Sequence, residues 1–433
     1  MKFTLNPLIA AIALTLSSQA AFAAEPETNE EKLSFTLKAM HVVDGKDNGF
    51  DPSEGTSEMF KGKYESATWN NLSFGIGYYL TGDFGGMTDL GTEGGKDARG
   101  MFVNDDYSIE DNLGEAYIKF DNGKVDVFGG RMIFDSPLTS ASASTMPNFH
   151  TAFGANFKAS ESLTVGVAQI TQISLGARTS TEFGLIGEGT GTAGTAVNPS
   201  TIGQAEFHDI SYVTTGNDTY NTNGITTVHA NFKASKNLTL SVWDFYAEDI
   251  SNNVYLEATH ITPMQGKSLK LNAQYLTQSD VGSKIAGDLD FAMLGVKATL
   301  GNKKWNTYVA LNQSSGDTDM LNAWSGDPGY TSTTFSRNEY RENVTAYKVG
   351  GQYKISSKWI ASAGYANYGK SDTLKGGSVE ATSDASELNL GLTWKPAKNT
   401  MLKLTHANRV SEYDTSANDL TQAHTRLIGV INF

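Results

Sequence analysis

Leu72, Phe74, Ile76, Tyr78 and Leu80 occupy every second position of one segment, with Ser73, Gly75 and Gly77 between them. Side chains alternate across a β-strand, so this spacing gives one apolar face and one polar or side-chain-free face. The pattern recurs. Ala116, Ile118 and Phe120 alternate with Glu115, Tyr117 and Lys119. Ala292, Leu294, Val296, Ala298 and Leu300 alternate with Met293, Gly295, Lys297 and Thr299. Leu388, Leu390, Leu392 and Trp394 alternate with Glu387, Asn389, Gly391, Thr393 and Lys395. No later segment approaches the ~20 consecutive apolar residues of a membrane helix. A soluble sandwich also alternates, but its polar face is rarely so rich in glycine; here 44 of 433 residues are glycine. A mean hydropathy of −0.32 is too polar for a helical membrane protein and compatible with a membrane barrel, whose strands are only half apolar.

The connections alternate short and long. Asp121-Asn122-Gly123, Ser160-Glu161-Ser162, Ser235-Lys236-Asn237, Pro263-Met264-Gln265-Gly266, Gly301-Asn302, Ser356-Ser357 and Ala397-Lys398-Asn399 are turn-forming. Between them lie long connections: 44–58, 82–110, 135–147, 173–224, 316–342 and 370–384. Short periplasmic turns with longer extracellular loops are the asymmetry of a bacterial barrel. The spacing predicts an all-β fold: a transmembrane antiparallel β-barrel of about 18 strands and nine outward loops. Residues 206–215 read either as an extra strand segment or as loop structure. Trp69, Trp305, Trp359 and Trp394 near the short turns, and Tyr79, Phe134 and Tyr368 near the other ends, are expected to form two interfacial girdles.

The ends agree with export. Lys2, the apolar run Pro7 to Leu16 and the small-residue close Ala21-Phe22-Ala23 have the grammar of a secretory signal, so residues 1–23 read as signal peptide and 24–433 as the barrel domain. At the other end Thr425, Leu427, Gly429, Ile431 and Phe433 share a face. A last strand ending in Phe433 is the kind of signal that barrel assembly machinery engages.

A barrel this wide is not filled by its wall side chains, so function rests on the lumen lining and on loops folded into it. The third long loop is the candidate constriction. Asp135, Ser136, Ser140, Ser142 and Ser144 offer hydrogen bonds from small side chains that leave room for solute. Several cations fall on the faces assigned inward: Lys38, Lys119, Arg131, Lys297, Lys348, Lys354, Lys403, Arg409 and Arg426. Basic rings favour anionic solutes, and guanidinium forks suit carboxylates. A basic track through Lys119, Arg131, Lys348, Lys403, Arg409 and Arg426 is the candidate solute-binding lining. The alternative is scattered lumenal charge paired with Glu115, Glu387 or loop acids.

Other function classes find little support. Lys and Arg number 33 against 47 Asp and Glu, a net charge of −14, which disfavours nucleic-acid binding. With no cysteine, disulfides and thiolate metal sites are excluded. The acid-rich loops 44–47, 51–54, 287–290 and 316–319 lack the full EF-hand spacing, and no metal or cofactor is expected. There is no G-x-S-x-G, H-E-x-x-H or Walker A motif, and the seven histidines show no ligand spacing. The chain is not expected to be an enzyme.

Leu113 to Phe120, Phe128 to Leu138 with Met146-Pro147, Leu240-Ser241-Val242-Trp243 followed by Val254-Tyr255-Leu256, Ala286 to Asp290, and Ser315-Gly316-Asp317 together resemble the OprD family of outer-membrane porins. The resemblance implies an 18-stranded barrel narrowed by inward loops, with a basic ladder for carboxylate-bearing solutes such as amino acids and small peptides. Of the candidate ladder residues Arg131, Lys403, Arg409 and Arg426, only Arg131 lies inside a matching stretch. The family also includes chitooligosaccharide porins, so fold does not settle the solute.

The leading expectation is a passive, partly selective outer-membrane channel for small hydrophilic solutes, as monomer or trimer, with outer-membrane lipid and lipopolysaccharide as its surroundings. The alternatives are a sugar porin, an outer-membrane barrel enzyme, and a plugged barrel working through its loops.

Overall fold

The computed structural model of the chain describes residues 30–45, 53–85, 109–140, 145–176, 205–324, 326–371, 383–413 and 419–433; the expected signal peptide lies outside them. A single 19-stranded antiparallel sheet runs in chain order through β1 (Lys32–Asp44), β2 (Ser53–Glu65), β3 (Leu72–Gly82), β4 (Glu110–Asp121), β5 (Val125–Met132), β6 (Phe149–Lys158), β7 (Leu163–Ser174), β8 (His208–Asp209), β9 (Ile225–Lys233), β10 (Leu238–Ala247), β11 (Ser251–Met264), β12 (Lys267–Asp280), β13 (Asp290–Gly301), β14 (Trp305–Ser315), β15 (Thr345–Lys354), β16 (Trp359–Tyr368), β17 (Ser383–Ala397), β18 (Thr400–Tyr413) and β19 (Leu420–Asn432). Each long strand pairs with its sequence neighbour, and β1 pairs with both β2 and β19. The sheet therefore closes on itself and leaves no edge. β7 pairs directly with β9, while the two-residue β8 only extends the end of β7, so the wall has 18 strands.

Local chemistry makes the short turns. Asn122 Oδ1 accepts the N–H groups of Lys124 and Val125, and Asn302 Oδ1 those of Lys304 and Trp305. The hydroxyls of Ser160, Ser235 and Ser356 accept the N–H groups two and three residues on in the same way. A side-chain acceptor at the first turn position replaces the missing ladder partner, which is why these sequences reverse the chain in so few residues.

The alternation resolves into a lipid face and a lumen face. Ile118, Phe153 and Val309 are each 57% exposed, as expected of side chains that meet hydrocarbon. Their neighbours of opposite parity are buried or half-buried. At the short-turn end Trp359 and Trp394 are register partners with rings stacked 5.5 Å apart. The expected second girdle is corrected. Tyr79, Phe134 and Tyr368 are buried at 1% exposure or less: the parity of Tyr79 and Tyr368 turns them inward, and Phe134 lies past the end of β5 in a loop packed into the barrel. Two further expectations shift. Part of 44–58 is strand, since β2 begins at Ser53. The segment 206–215 is β8 followed by a helix, α1 (Ile210–Thr215), ended by Gly216 at φ 70°.

Candidate functional site

Two of the described loops pack against inward wall residues and meet each other. Between β5 and β6, Phe134 and Leu138 pack into one buried cluster with inward residues of the wall (Trp243 and Phe245 of β10, Tyr255 of β11, Met293 of β13). Met320, Leu321 and Trp324, from the connection between β14 and β15, join the same cluster. Asn148 Nδ2 donates to the carbonyls of Thr139 and Trp324, each at 3.4 Å, and a Cβ on Gly326 would lie 2.4 Å from Leu138 Cα. The absence of a side chain at Gly326 is what lets the two backbones touch.

The β14–β15 connection, residues 316–344, is tied to the wall over a wide arc. Gln278 of β12 accepts the Leu321 N–H at 2.7 Å and donates to its carbonyl at 3.0 Å. Asn312 Oδ1 of β14 accepts the Thr331 N–H at 3.0 Å. Lys348 of β15 donates to the Ser332 carbonyl, and the Tyr368 hydroxyl of β16 donates to the Ser336 carbonyl at 2.9 Å. Glu387 of β17 accepts from Thr333 Oγ1 at 2.6 Å and from the N–H groups of Thr334 at 2.9 Å and Ser336 at 3.0 Å. The Phe335 ring stands edge-on to His424 of β19, 5.1 Å between centroids. Within the loop, Arg337 pairs with Asp327 and lies 3.8 Å from Glu339; Arg337 and Glu339 are buried, and Asp327 is partly exposed. Burial, then the charge of Asp327, pushes the Glu339 carboxyl up to about 8.

The third loop is folded on its own hydroxyls. Ser136 and Thr139 hydroxyls are 2.7 Å apart, Thr139 donates to the Phe134 carbonyl, and Ser140 bonds to Asp135 and accepts the Ser136 N–H. Burial raises the Asp135 carboxyl, with the Ser140 bond opposing. Ser142 and Ser144 lie outside the described residues.

Cations line one arc of the wall. On adjacent strands, Lys403 of β18 pairs in register with Ile428, Arg409 with Gln422, and Arg426 of β19 with Thr405 and Val42, all on the lumen parity. Lys38 of β1 is on the same parity, and the charges of Arg426 and Lys403 bear on it. Farther along the wall, Lys297 of β13 lies in the fields of Lys348 and of Lys270 from β12. Lys119 of β4 faces inward near the short turns, 3.2 Å from Asp121 and 3.7 Å from Asp126. Arg131 departs from this row. Its ladder partners are Ala116 and Thr151, the parity opposite to Lys119 and Tyr117, and its guanidinium lies over the Phe207 ring at 4.2 Å. Gly130, at φ 127°, bends the pleat just before it.

Three features go beyond the sequence reading, which names Glu115 and Glu387 only as possible charge partners of lumenal cations: the 316–344 loop as a lumenal element, Glu387 as its anchor, and Lys61 and Lys63 as the partners of Glu115. The last was legible. Met59, Lys61, Lys63 and Glu65 alternate with Phe60, Gly62 and Tyr64, in a strand whose first residues fall within the 44–58 connection.

A closed 18-stranded barrel with a lipid-facing apolar wall and loops packed inside its lumen defines an outer-membrane porin. The sequence profile described as outer membrane porin, OprD family, matches residues 190–429, more than half of the chain. The chain belongs to the OprD family of outer-membrane porins, and its location is the bacterial outer membrane. Among curated protein sequences no match emerges. Among solved structures it is similar to OccK9 (OpdG) of Pseudomonas aeruginosa, with TM-score 0.75, 15% identity, and 94% of this chain and 100% of that one covered. OccAB3 of Acinetobacter baumannii gives TM-score 0.72 with the same identity and coverage, and OccK1 (OpdK) of Pseudomonas aeruginosa gives 0.70, again with 15% identity, 94% of this chain and 100% of that one. At such identity these likenesses speak for the fold alone.

Proposed function

We propose that this porin is a passive, partly selective channel for small hydrophilic solutes that carry a carboxylate, among them amino acids and small peptides. The carrying observation is the arc of lumenal cations, Lys403, Arg409, Arg426 and Lys38 on β18, β19 and β1, with Lys270, Lys297 and Lys348 on β12, β13 and β15. A chain with net charge −14 has concentrated positive charge along one inner wall. Such a wall raises the local concentration of anions, and its guanidinium and ammonium donors replace part of a carboxylate's hydration as it passes. One similar structure, OpdK of Pseudomonas aeruginosa, is solved with vanillate, itself a carboxylate.

Lys403 and Arg426 are the proposed solute-contacting residues, with Lys119 as an outlying member toward the short-turn side; Arg409, 0% exposed, and Lys348, bonded to the Ser332 carbonyl, add positive charge behind them. The β5–β6 and β14–β15 loops together are the proposed constriction. Recording single-channel current and reversal potential across a planar bilayer in a salt gradient tests this reading. The expected result is discrete current steps, an anion-favouring potential, and partial block by small carboxylates but not by neutral oligosaccharides. Block by chitooligosaccharides alone would overturn it in favour of a sugar channel, and a folded, inserted but silent protein would overturn the channel itself.

A further inference from the structure

We propose that Glu387 is the positioning residue that holds the β14–β15 loop across the lumen and thereby sets the channel's conductance and size limit. The proposal rests on the reading of the chain as an open channel. Glu387 projects inward from β17 next to the lipid-facing Leu388 and is wholly buried. Its two oxygens receive the Thr333 hydroxyl and the N–H groups of three consecutive residues, Thr334, Phe335 and Ser336, at 2.6 to 3.3 Å; Asn389 Nδ2 adds a further bond at 2.8 Å. Successive backbone N–H groups that converge on one point form an anion-binding concavity. Here the loop supplies the concavity and the wall supplies the anion.

The surroundings make this use of a carboxylate selective. Arg409 is the direct register partner of Glu387, and the Glu387 charge also bears on Lys348. Against that cationic wall, the carboxylate nonetheless directs its lone pairs at the loop backbone. Phe335 and Ser336 are 1% and 0% exposed, so without the carboxylate the Phe335 N–H would be buried with its acceptor gone, and the Ser336 N–H would keep only Thr333 Oγ1 of the same loop, at 3.1 Å. Buried N–H groups are almost always paired, so the loop tip must leave the wall to find water. The wall also meets the tip through Tyr368 to the Ser336 carbonyl, Thr334 to Asn389 at 2.5 Å, and the Phe335–His424 ring contact. They position the tip but do not supply acceptors for those three groups.

The test uses the full chain, whose lack of cysteine permits clean cross-linking. Glu387→Ala, Glu387→Asp and a triple variant, Glu387→Ala with Thr334→Cys and Asn389→Cys, are recorded in planar bilayers, with heat-modifiable gel mobility as the check that each barrel is folded. Glu387→Ala is expected to raise conductance about twofold, add current noise, and admit larger sugars in liposome swelling, because the lumen loses its constriction. Glu387→Asp keeps the anion and stays near the parent. In the triple variant the oxidised disulfide returns conductance to the parent level, and reductant releases it again. A folded Glu387→Ala channel indistinguishable from a conducting parent overturns the proposal, as does a formed disulfide that fails to restore the parent conductance. A folded but silent parent overturns the channel reading, and this proposal with it.

Discussion

Lys63 reaches across an entire strand to Glu115: its Nζ lies 2.7 Å from a carboxylate oxygen although β3 separates β2 from β4. Gly77 makes this possible. It is the register partner of both residues, and a Cβ there would lie 3.0 to 3.3 Å from Glu115 side-chain atoms. Lys61 approaches the same carboxylate at 3.6 Å and the Tyr79 hydroxyl donates to it at 2.6 Å. Glu115→Ala would leave two lumenal ammonium groups and one phenol without their shared acceptor. Thermal or urea unfolding is expected to show a loss of about 1–3 kcal/mol, the usual cost of orphaning a buried polar group. The reversal potential should move further toward anions, since two lysine charges are unmasked.

Widening Gly77 tests the same contact sterically. Gly77→Val would press on Glu115 from beneath and break the Lys63 bond, with an expected cost of about 1–3 kcal/mol. A salt-dependent change in ion selectivity should accompany it. Unchanged selectivity in a folded Gly77→Val barrel would mean that Lys63 does not need Glu115 to hold its place.

Neutralising the β18–β19 cations tests solute recognition. In Lys403→Ala with Arg426→Ala, anion preference is expected to fall about twofold or more, and block by carboxylates should weaken in parallel. The reciprocal probe is accessibility. A membrane-impermeant thiol reagent should modify Arg426→Cys from the aqueous side, and quenching by a lipid-borne probe instead would mean the register of β19 is displaced by one residue.

Gly326 allows the two lumenal loops to touch at Leu138. Gly326→Leu should separate them without touching the wall. Larger conductance with frequent brief closures is expected in single-channel records, while barrel folding measured by gel mobility stays intact.

The pH dependence of loop docking follows from Glu339. Its carboxyl is raised from an ordinary 4.5 to about 8 by burial and by Asp327, while Arg337 offsets this only in part because it also pairs with Asp327. A docked loop therefore keeps a proton that a released loop gives up. Docking is fully supported below about pH 4.5 and loses support as pH rises to about 8, beyond which the effect is constant. Current noise from loop excursions should accordingly increase between pH 5 and pH 9. Glu339→Gln should flatten that profile; a profile unaltered by this substitution would assign the titration elsewhere.

The strands, their number and the lipid face were legible because period-two alternation and turn chemistry are local: Leu72 to Leu80 read the same in the chain and in the barrel. The short turns were legible for the same reason, since Asn122 or Ser160 caps its own turn with its own side chain. The third loop was recognisable, but the role of its hydroxyls was not. Ser136 and Ser140 bond within the loop, a choice that depends on a fold that no spacing reveals. Arg131 falls among the cations that alternation assigns inward, and its register with Ala116 puts it on the other parity.

What the sequence by itself determined is thus the closed sheet, because each strand's two faces and each turn are written into neighbouring residues. Only the tertiary structure decided what lies inside the barrel. The contact of Glu387 with residues 333–336 joins segments some fifty positions apart, and that of Leu138 with Gly326 joins segments still farther removed along the chain. Neither has a periodic signal, since a loop folded into a lumen obeys the wall and loop residues it meets there and not its own sequence neighbours.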